Sequence, residues 1–202
     1  MLVLAVDTAT PAVTAGVVEV VDGQVTVLGE RVTVDAKAHG ELLTPHVLDA
    51  LASAGRTLPE VDALVCGVGP GPFTGLRAGM VTAAALGHAL DRPIYPVCSL
   101  DAIAAEVNGP VLVVTDARRR EVYWAAYDGG RVTDPAVNPP AELAALLDDL
   151  GVGQAAGYGA RLYESVLGLP VIAPEHPSPF GLVTAALPDL LARAEPAALT
   201  PL

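Results

Sequence analysis

The stretch ALVCGVGPGPFTGLRAG, residues 63–79, decides the fold that we predict for this chain. Its first part, Ala63–Cys66, is apolar and has the composition of a buried strand, and the residues towards Leu90 form an Ala-rich helical pattern. A glycine-dense turn joins the two. A turn of this kind before a helix N-terminus presents free backbone N–H groups, which favours anion binding or the close approach of another backbone. The stretch therefore predicts a strand–turn–helix unit of an α/β fold.

The residues around this unit predict a regular order of strands and helices. An Asp-Gly pair at residues 22–23 lies between two β-rich runs and is typical of a hairpin turn. The predicted elements are strands at Leu2–Thr8, Ala12–Val21 and Gln24–Val34, a helix at Glu41–Ala54, a strand at Ala63–Gly67, a helix to Leu90, a strand at Ile94–Val97 and a helix at Leu100–Val107.

The second half of the chain repeats this order. The strand Val111–Thr115 is followed by Asp116, as Asp7 lies near the end of the first strand, and a second Asp-Gly turn follows at residues 128–129. This repetition indicates a duplicated unit. We predict an N-terminal lobe at residues 1–108 and a smaller, degenerate lobe at 109–202. The remaining predicted elements are strands at Glu121–Tyr127 and Arg131–Thr133 and helices at Ala141–Leu150, Arg161–Leu167 and Phe180–Arg193.

Three antiparallel strands followed by alternating helices and strands, occurring twice, define the predicted architecture. The order β-β-β-α-β-α in each lobe fits the two-lobed actin-like ATPase and sugar-kinase fold, which is a duplicated RNase H-like unit. In that fold a nucleotide lies between the lobes. The Asp at the end of the first strand of each lobe helps to hold Mg²⁺ and phosphates there. Asp7, Thr8 and Thr10 are therefore candidates for a relic phosphate loop.

Composition limits the function classes. The formal net charge is −12, and an acidic chain repels a phosphate backbone, so we do not expect independent binding to tRNA or DNA. Hydrophobic residues make up 52% of the chain and charged residues only 17%. Such an apolar composition indicates that a partner covers part of the surface. The apolar stretches are too short to span a bilayer, and the N-terminus enters a strand without a signal-peptide pattern.

No arrangement of residues predicts a metal site or a nucleophile. Cys66 and Cys98 lie in apolar contexts without Cys-x-x-Cys spacing and indicate reduced core thiols of a cytosolic protein. His39 and His46 are seven residues apart, about 10 Å along a helix, which is too far for ligands that bind zinc at about 2 Å. The chain has neither a His-Glu-x-x-His motif nor a Gly-x-Ser-x-Gly elbow.

One basic cluster, Arg118-Arg119-Arg120, interrupts the acidic composition. With Tyr123 and Trp124 nearby, it has the elements of a nucleic-acid patch. The favoured interpretation is a solvated turn between two strands. A contact with an acidic partner, or with an RNA held mainly by another subunit, stays open.

Four ordered segments carry a family resemblance over roughly the first 130 residues. The glycine stretch resembles the GPGSFTGLR signature of the bacterial TsaB family, also called YeaZ, with Pro72 where that family usually has Ser. The other three segments resemble the family's first strand and turn, the start of its first helix, and its Asp-Ala-Arg-x-x-Glu-Val-Tyr segment. They are Leu4–Thr10, His39–Pro45 and Asp116–Tyr123.

The resemblance implies a fold, a role and a set of partners. The fold is the same two-lobed actin-like one. The role is that of a cytoplasmic, non-catalytic subunit that binds and stabilises TsaD, the transferase that forms threonylcarbamoyladenosine next to the anticodon of tRNA. TsaE-like ATPase joins through the complex, the chain pairs with itself when alone, and tRNA is contacted only indirectly. ATP is used by the complex, and we expect no cofactor, no metal and no catalytic residue in this chain.

The resemblance also implies an interface, since TsaB proteins pair through their first two helices. After the glycine turn, small residues recur every four positions and form a ridge on which another helix can pack closely. Glycine in a helix costs roughly 1 kcal/mol relative to Ala, and tight packing is the natural compensation. Packing within the chain alone is the alternative. The predicted interface residues are Leu43, Val47, Leu51, Gly75, Arg77, Gly79, Ala83 and Gly87.

Two functions from other classes stay open. One is an ATP-binding kinase-like enzyme that uses Asp7 and the cleft between the lobes. The other is a peptidase, as an older label for this family suggested.

Overall fold

The structure, a computed structural model, describes residues 1–202. The first sheet has the strand order β3-β2-β1-β4-β5, in which β1 is antiparallel to β2 and parallel to β4. The elements of this half are β1 (Leu2–Asp7), β2 (Ala12–Val21), β3 (Gln24–Val34), α1 (His39–Ala54), a short 3₁₀ turn (Leu58–Glu60), β4 (Ala63–Gly67), α2 (Phe73–Leu90), β5 (Ile94–Val97) and α3 (Ser99–Ala104).

The second sheet repeats this topology. Its strand order is β10-β9-β6-β7-β8, in which β6 is antiparallel to β7 and parallel to β9. The duplicated β-β-β-α-β-α order is thus confirmed. The elements are β6 (Val111–Arg118), β7 (Glu121–Tyr127), β8 (Ala136–Asn138), α4 (Pro140–Ala144), α5 (Leu147–Leu150), β9 (Ala155–Ala156), α6 (Tyr158–Leu162), α7 (Glu164–Leu167), β10 (Val171–Ile172) and α8 (Pro179–Ala192).

The first sheet is covered on both faces, which explains the apolar run of its central strand. Every residue of β1 is buried, as expected for a strand between two helical layers. Side chains of α1 and α2 pack on one face with Leu4 and Val6, and side chains of α8 pack on the other with Val3 and Ala5. No helix in the chain combines the length and apolar character needed to cross a bilayer.

Helix α8 packs on the first sheet, although the predicted lobe boundary assigns it to the second lobe. Leu182, Val183 and Leu190 are buried against strands of the first sheet, and Ser178 caps the helix by accepting a hydrogen bond from Gly181 N at 2.9 Å. The helix packs there because the back face of the first sheet is apolar and α3 covers only part of it. The division at residues 108 and 109 remains a prediction, but the chain after residue 178 returns to the first sheet.

The prediction that Arg131–Thr133 form the third strand of the second sheet is wrong. These residues curl over the end of β7, where Val132 N donates to Ala126 O at 2.8 Å and Thr133 Oγ1 accepts from Ala126 N at 2.9 Å. The strand forms later, as β8. Trp124 Nε1 anchors β8 by donating to Asn138 Oδ1 at 2.9 Å.

The helices of the second half are shorter than their patterns predicted. The predicted helix at Ala141–Leu150 is divided into α4 and α5, and that at Arg161–Leu167 is divided into α6 and α7. Helix α6 also starts earlier, at Tyr158, because Gly157 adopts a φ of 97° and lets the chain turn against the backbone of Val114.

Candidate functional site

The carboxylate of Asp7 is the buried centre at which β1, the glycine turn and α3 meet. Its Oδ2 accepts a hydrogen bond from Ser99 Oγ at 2.5 Å, and its Oδ1 accepts one from Ala9 N at 2.8 Å. Ser99 Oγ in turn accepts from Gly69 N at 3.2 Å. A side chain at Gly67 would overlap the Asp7 carboxylate, which explains the glycine at the end of β4. Both oxygens of Asp7 are thus engaged within the chain.

Burial changes the acidity of this group. Desolvation of the fully buried carboxylate raises the pKa of Asp7 from 3.8 to about 6, although hydrogen bonds from Ser99 and Ala9 and the nearby His39 act in the opposite direction. A raised pKa of a carboxylic acid means that the folded state favours the protonated form. The ionised form of Asp7 therefore lowers the stability of the fold at neutral pH.

Thr8, the next residue of the predicted phosphate loop, is inserted into α2. Its hydroxyl donates to Gly75 O at 2.7 Å and accepts from Gly79 N at 2.9 Å. These are the two backbone groups that bond to each other in a regular helix. A hydroxyl can approach them only where no Cβ intervenes, and a Cβ on Gly79 would lie 2.5 Å from Thr8 Oγ1.

Thr10 and His39 complete this set of internal contacts. The hydroxyl of Thr10 accepts from Ala12 N at 3.2 Å, and His39 Nε2 donates to the carbonyl oxygen of Thr10 at 2.8 Å. The structure thus brings the three predicted loop residues together, and their polar side chains bond to the chain itself. Ser99, the first residue of α3, belongs to the same set of contacts, although the sequence analysis did not single it out. Only its position after β5, as a polar residue in an apolar context, could have pointed to it.

The small-residue ridge faces the interior, which corrects its prediction as a surface for a partner. Gly75 and Gly79 lie against Thr8 and His39, and Gly87 lies against Ile94. Ala83 is buried in the core with Leu43, Val47 and Leu51. These residues hold α1 and α2 on the first sheet. Of the eight predicted interface residues, Arg77 alone is exposed.

Arg77 lies on the exposed side of α2, away from the small-residue ridge. Its guanidinium carbon lies 4.0 Å from the centroid of the Phe73 ring, a cation–π distance. Phe73 itself is 60% exposed, Val81 one turn beyond Arg77 is 66% exposed, and Leu48 on α1 is 52% exposed. The first two helices therefore present an apolar outer face, which we call the α1–α2 outer face and define by Leu48, Phe73, Arg77 and Val81.

A cleft of about 950 Å³ opens beside this face, between the two halves of the chain. One wall consists of Thr8, Thr10, the loop before α1 and the start of α2, and the other is the β6–β7 turn. Four cationic side chains line it, together with the single carboxylate of Asp116. The cations are Lys37, Arg77, Arg118 and Arg119. None of them forms an ion pair.

The β6–β7 turn that carries two of these cations has an unusual backbone. In the backbone register of the hairpin, Arg118 lies opposite Glu121. Arg118, Arg119 and Arg120 have φ values of 62°, 52° and 65°. A two-residue hairpin turn with positive φ at both central positions is ordinarily built from Asn-Gly. The left-handed conformation costs a residue with a side chain roughly 1–2 kcal/mol, so this turn keeps its arginines against local preference.

The remaining candidate groups have internal roles. No group of three His, Cys, Asp or Glu side chains is placed to hold a metal ion. His46 Nε2 lies 2.8 Å from Thr33 Oγ1. Burial raises the pKa of both cysteine thiols, that of Cys98 to about 11.

Fold and site together define a class of protein: a two-lobed actin-like protein whose first-strand aspartate is enclosed and whose polar cleft is basic. The family model described as TsaD, tRNA N6-adenosine threonylcarbamoyltransferase, matches residues 26–198. The TsaB protein of Escherichia coli K12, named a tRNA threonylcarbamoyladenosine biosynthesis protein, is 37% identical over 132 residues, 63% of this chain and 55% of that protein. The chain belongs to the family of that model and, within it, to the TsaB (YeaZ) family.

Two further comparisons cover nearly the whole chain. An uncharacterized protein of Mycobacterium tuberculosis H37Rv is 59% identical over 184 residues, 91% of this chain and 83% of that protein. The structure of YeaZ from Pseudomonas aeruginosa superimposes with a TM-score of 0.79 at 27% identity and covers 100% of this chain and 98% of that one. The second half, where the sequence motifs become weak, therefore shares the fold as well.

The inserted Thr8 hydroxyl makes a prediction about two helical glycines. We expect Gly79→Ala to lower the free energy of unfolding by about 1–2 kcal/mol, because the clash with Thr8 outweighs the gain in helix propensity. Gly40→Ala, on α1, is the matched control, since a Cβ there meets nothing within 4 Å. It should leave stability unchanged or raise it by up to about 1 kcal/mol. Urea unfolding of both variants measures this, and equal effects would contradict the insertion.

The buried Asp7 makes a prediction about pH. Because the pKa of Asp7 is about 6 in the folded state and 3.8 in the unfolded chain, Asp7 makes the wild type less stable as pH rises from about 4 to 6, by roughly 2–3 kcal/mol. Asp7→Asn lacks this titration. Its free energy of unfolding relative to wild type should therefore increase by that amount over the same range. Asp22→Asn, at an exposed hairpin tip, controls for the net charge. Parallel profiles of wild type and Asp7→Asn would contradict the assignment.

Proposed function

We propose that this chain is the non-catalytic subunit that binds and stabilises a TsaD-type transferase during formation of threonylcarbamoyladenosine next to the anticodon of tRNA. Family membership is the observation that carries the proposal, because relatives in Escherichia coli, Haemophilus influenzae and Bacillus subtilis are named for this biosynthesis. In the proposal the chain acts in the cytoplasm and pairs with itself when alone. A TsaE-like ATPase joins the complex and uses the ATP.

The buried hydrogen bonds of Asp7 and Thr8 support a structural rather than a chemical role for the end of the first strand. In an actin-like enzyme the aspartate at this position faces the nucleotide cleft. Here Ser99 and Ala9 engage both oxygens of Asp7, and Thr8 is bonded into α2. Residues that would bind phosphate thus hold the glycine turn and α2 in place, and we assign no catalytic residue to this chain.

The α1–α2 outer face is the surface that we propose for the transferase. It combines exposed Leu48, Phe73 and Val81, which lie on neighbouring helices that pack side by side. Exposed apolar patches on a protein surface mark contacts with other proteins. Arg77 supplies a polar anchor at the edge, and arginine and aromatic side chains are the groups that most often dominate interface energy. The predicted pairing through the first two helices is retained, but through their outer side.

A charge placed on this face should prevent pairing without unfolding the chain. We expect Val81→Glu and Leu48→Glu each to weaken binding of the cognate TsaD-like protein by more than about tenfold, because a carboxylate would be desolvated in the contact. Isothermal titration calorimetry measures the affinity, and circular dichroism checks that the melting temperature is kept.

Val137→Glu is the matched control. Val137 is 49% exposed on β8, away from the first two helices. This variant should bind like the wild type. Normal binding by Val81→Glu and Leu48→Glu would refute the outer face as the interface, and loss of binding only in Val137→Glu would move the interface to the second sheet.

A further inference from the structure

The cleft collects cations that nothing in the chain neutralises. Lys37 and Arg77 on one wall face the turn that carries Arg118 and Arg119, and none of the four forms an ion pair. The cleft is lined by one carboxylate, that of Asp116, and its Oδ1 accepts a hydrogen bond from Arg118 N at 3.1 Å. A protein with a net charge of −12 therefore keeps a locally positive cleft. Such a distribution attracts an anion to one place and repels it elsewhere.

The backbone of the β6–β7 turn is a second observation that points to an anionic ligand. Positive φ values at Arg118, Arg119 and Arg120 occupy a region that Asn and Gly tolerate much better. The backbone conformation of this turn thus favours Asn or Gly over arginine. Strained backbone of this kind is concentrated at functional sites. Here the strain presents two guanidinium groups to the cleft. Guanidinium matches phosphate oxygens in planar, bidentate geometry.

We propose that this cleft, through Lys37, Arg118 and Arg119, contacts the phosphate backbone of an RNA strand that is held mainly by the partner on the α1–α2 outer face. The inference rests on the proposed function. Phe73, Arg77 and Val81 belong to the outer face and also line the cleft. A partner docked on α2 therefore borders the cleft, and an RNA bound by that partner lies within reach of the cations.

The contact is electrostatic and adds to the affinity of the complex. Three cations can neutralise only a few phosphates, and the remaining acidic surface opposes binding, so the chain alone holds RNA weakly. The cluster Arg118-Arg119-Arg120 is then more than a solvated turn.

Neighbouring positions of the turn provide a matched test. Arg119→Asn and Arg120→Asn each remove one positive charge at a residue with positive φ, and only Arg119 lines the cleft. RNA affinity of the reconstituted complex is measured by fluorescence anisotropy with the substrate tRNA at several salt concentrations. We expect Arg119→Asn to weaken binding several-fold and to reduce the salt slope by about 1, and Arg118→Asn/Arg119→Asn to reduce it by about 2. Arg120→Asn should match wild type.

Stability and complex formation separate this proposal from a loss of folding. Asn tolerates positive φ, so all three variants should keep or raise the melting temperature. Size-exclusion chromatography reports binding to the TsaD-like protein, which these variants should retain. If the complex forms but Arg118→Asn/Arg119→Asn binds tRNA like the wild type, the cleft proposal is overturned and the proposed function stands. If the wild type forms no complex, both are overturned.

Two further outcomes would also overturn the RNA contact. Equal weakening by Arg119→Asn and Arg120→Asn would show a general effect of net charge rather than a contact in the cleft. ATP and inorganic phosphate are titrated separately into the chain by calorimetry. Binding of either one that is lost in Arg118→Asn/Arg119→Asn, with unchanged tRNA affinity, would identify the cleft as a site for a small phosphate ligand.

Discussion

The hydroxyl of Thr8, inserted between Gly75 O and Gly79 N, is the interaction on which the arrangement of the first two helices depends. It brings the backbone of α2 directly onto the end of β1. That approach is closed to any residue with a Cβ at position 79, and the core behind it is filled by Ala83 and side chains of α1. Asp7 fixes the same point from the other side, through Ser99 at the start of α3. The result is a tightly packed junction of one strand, one turn and two helices.

This junction contains Asp7 and Thr8, two of the residues for which the sequence predicts a relic phosphate loop. The polar side chains after β1 are present, but their hydrogen bonds are directed inward. Two surfaces remain for function: the apolar outer face of α1 and α2, and the basic cleft beside it. They meet at Phe73 and Arg77, so a protein bound to one borders the other. In the proposed function, the transferase binds the first surface and the RNA contacts the second.

Much of the fold could be predicted from the sequence because its signals are local. The apolar strands, the Asp-Gly turn at residues 22–23 and the repeat of the whole pattern are all readable within short windows. The sequence did not predict which way the small-residue ridge faces, because a period of four indicates close packing but does not identify the packing partner. Thr8 decides that direction from 67 residues away. The return of α8 to the first sheet is likewise a long-range contact. The arginine turn lacks the Asn-Gly signal that ordinarily marks its geometry, so its shape and its place at the cleft were readable only from the structure.

We propose that this chain supports the transferase rather than performing the chemistry itself. This proposal is tested most directly by reconstituting threonylcarbamoyl transfer to tRNA from the cognate TsaD-like and TsaE-like proteins, with ATP and a supply of threonylcarbamoyl-adenylate, in the presence and absence of this chain. We predict that multiple-turnover product is lost when the chain is omitted and is restored by Asp7→Asn as well as by wild type. Full turnover without the chain, or failure of a folded Asp7→Asn variant to restore it, would refute a purely supporting role for this chain.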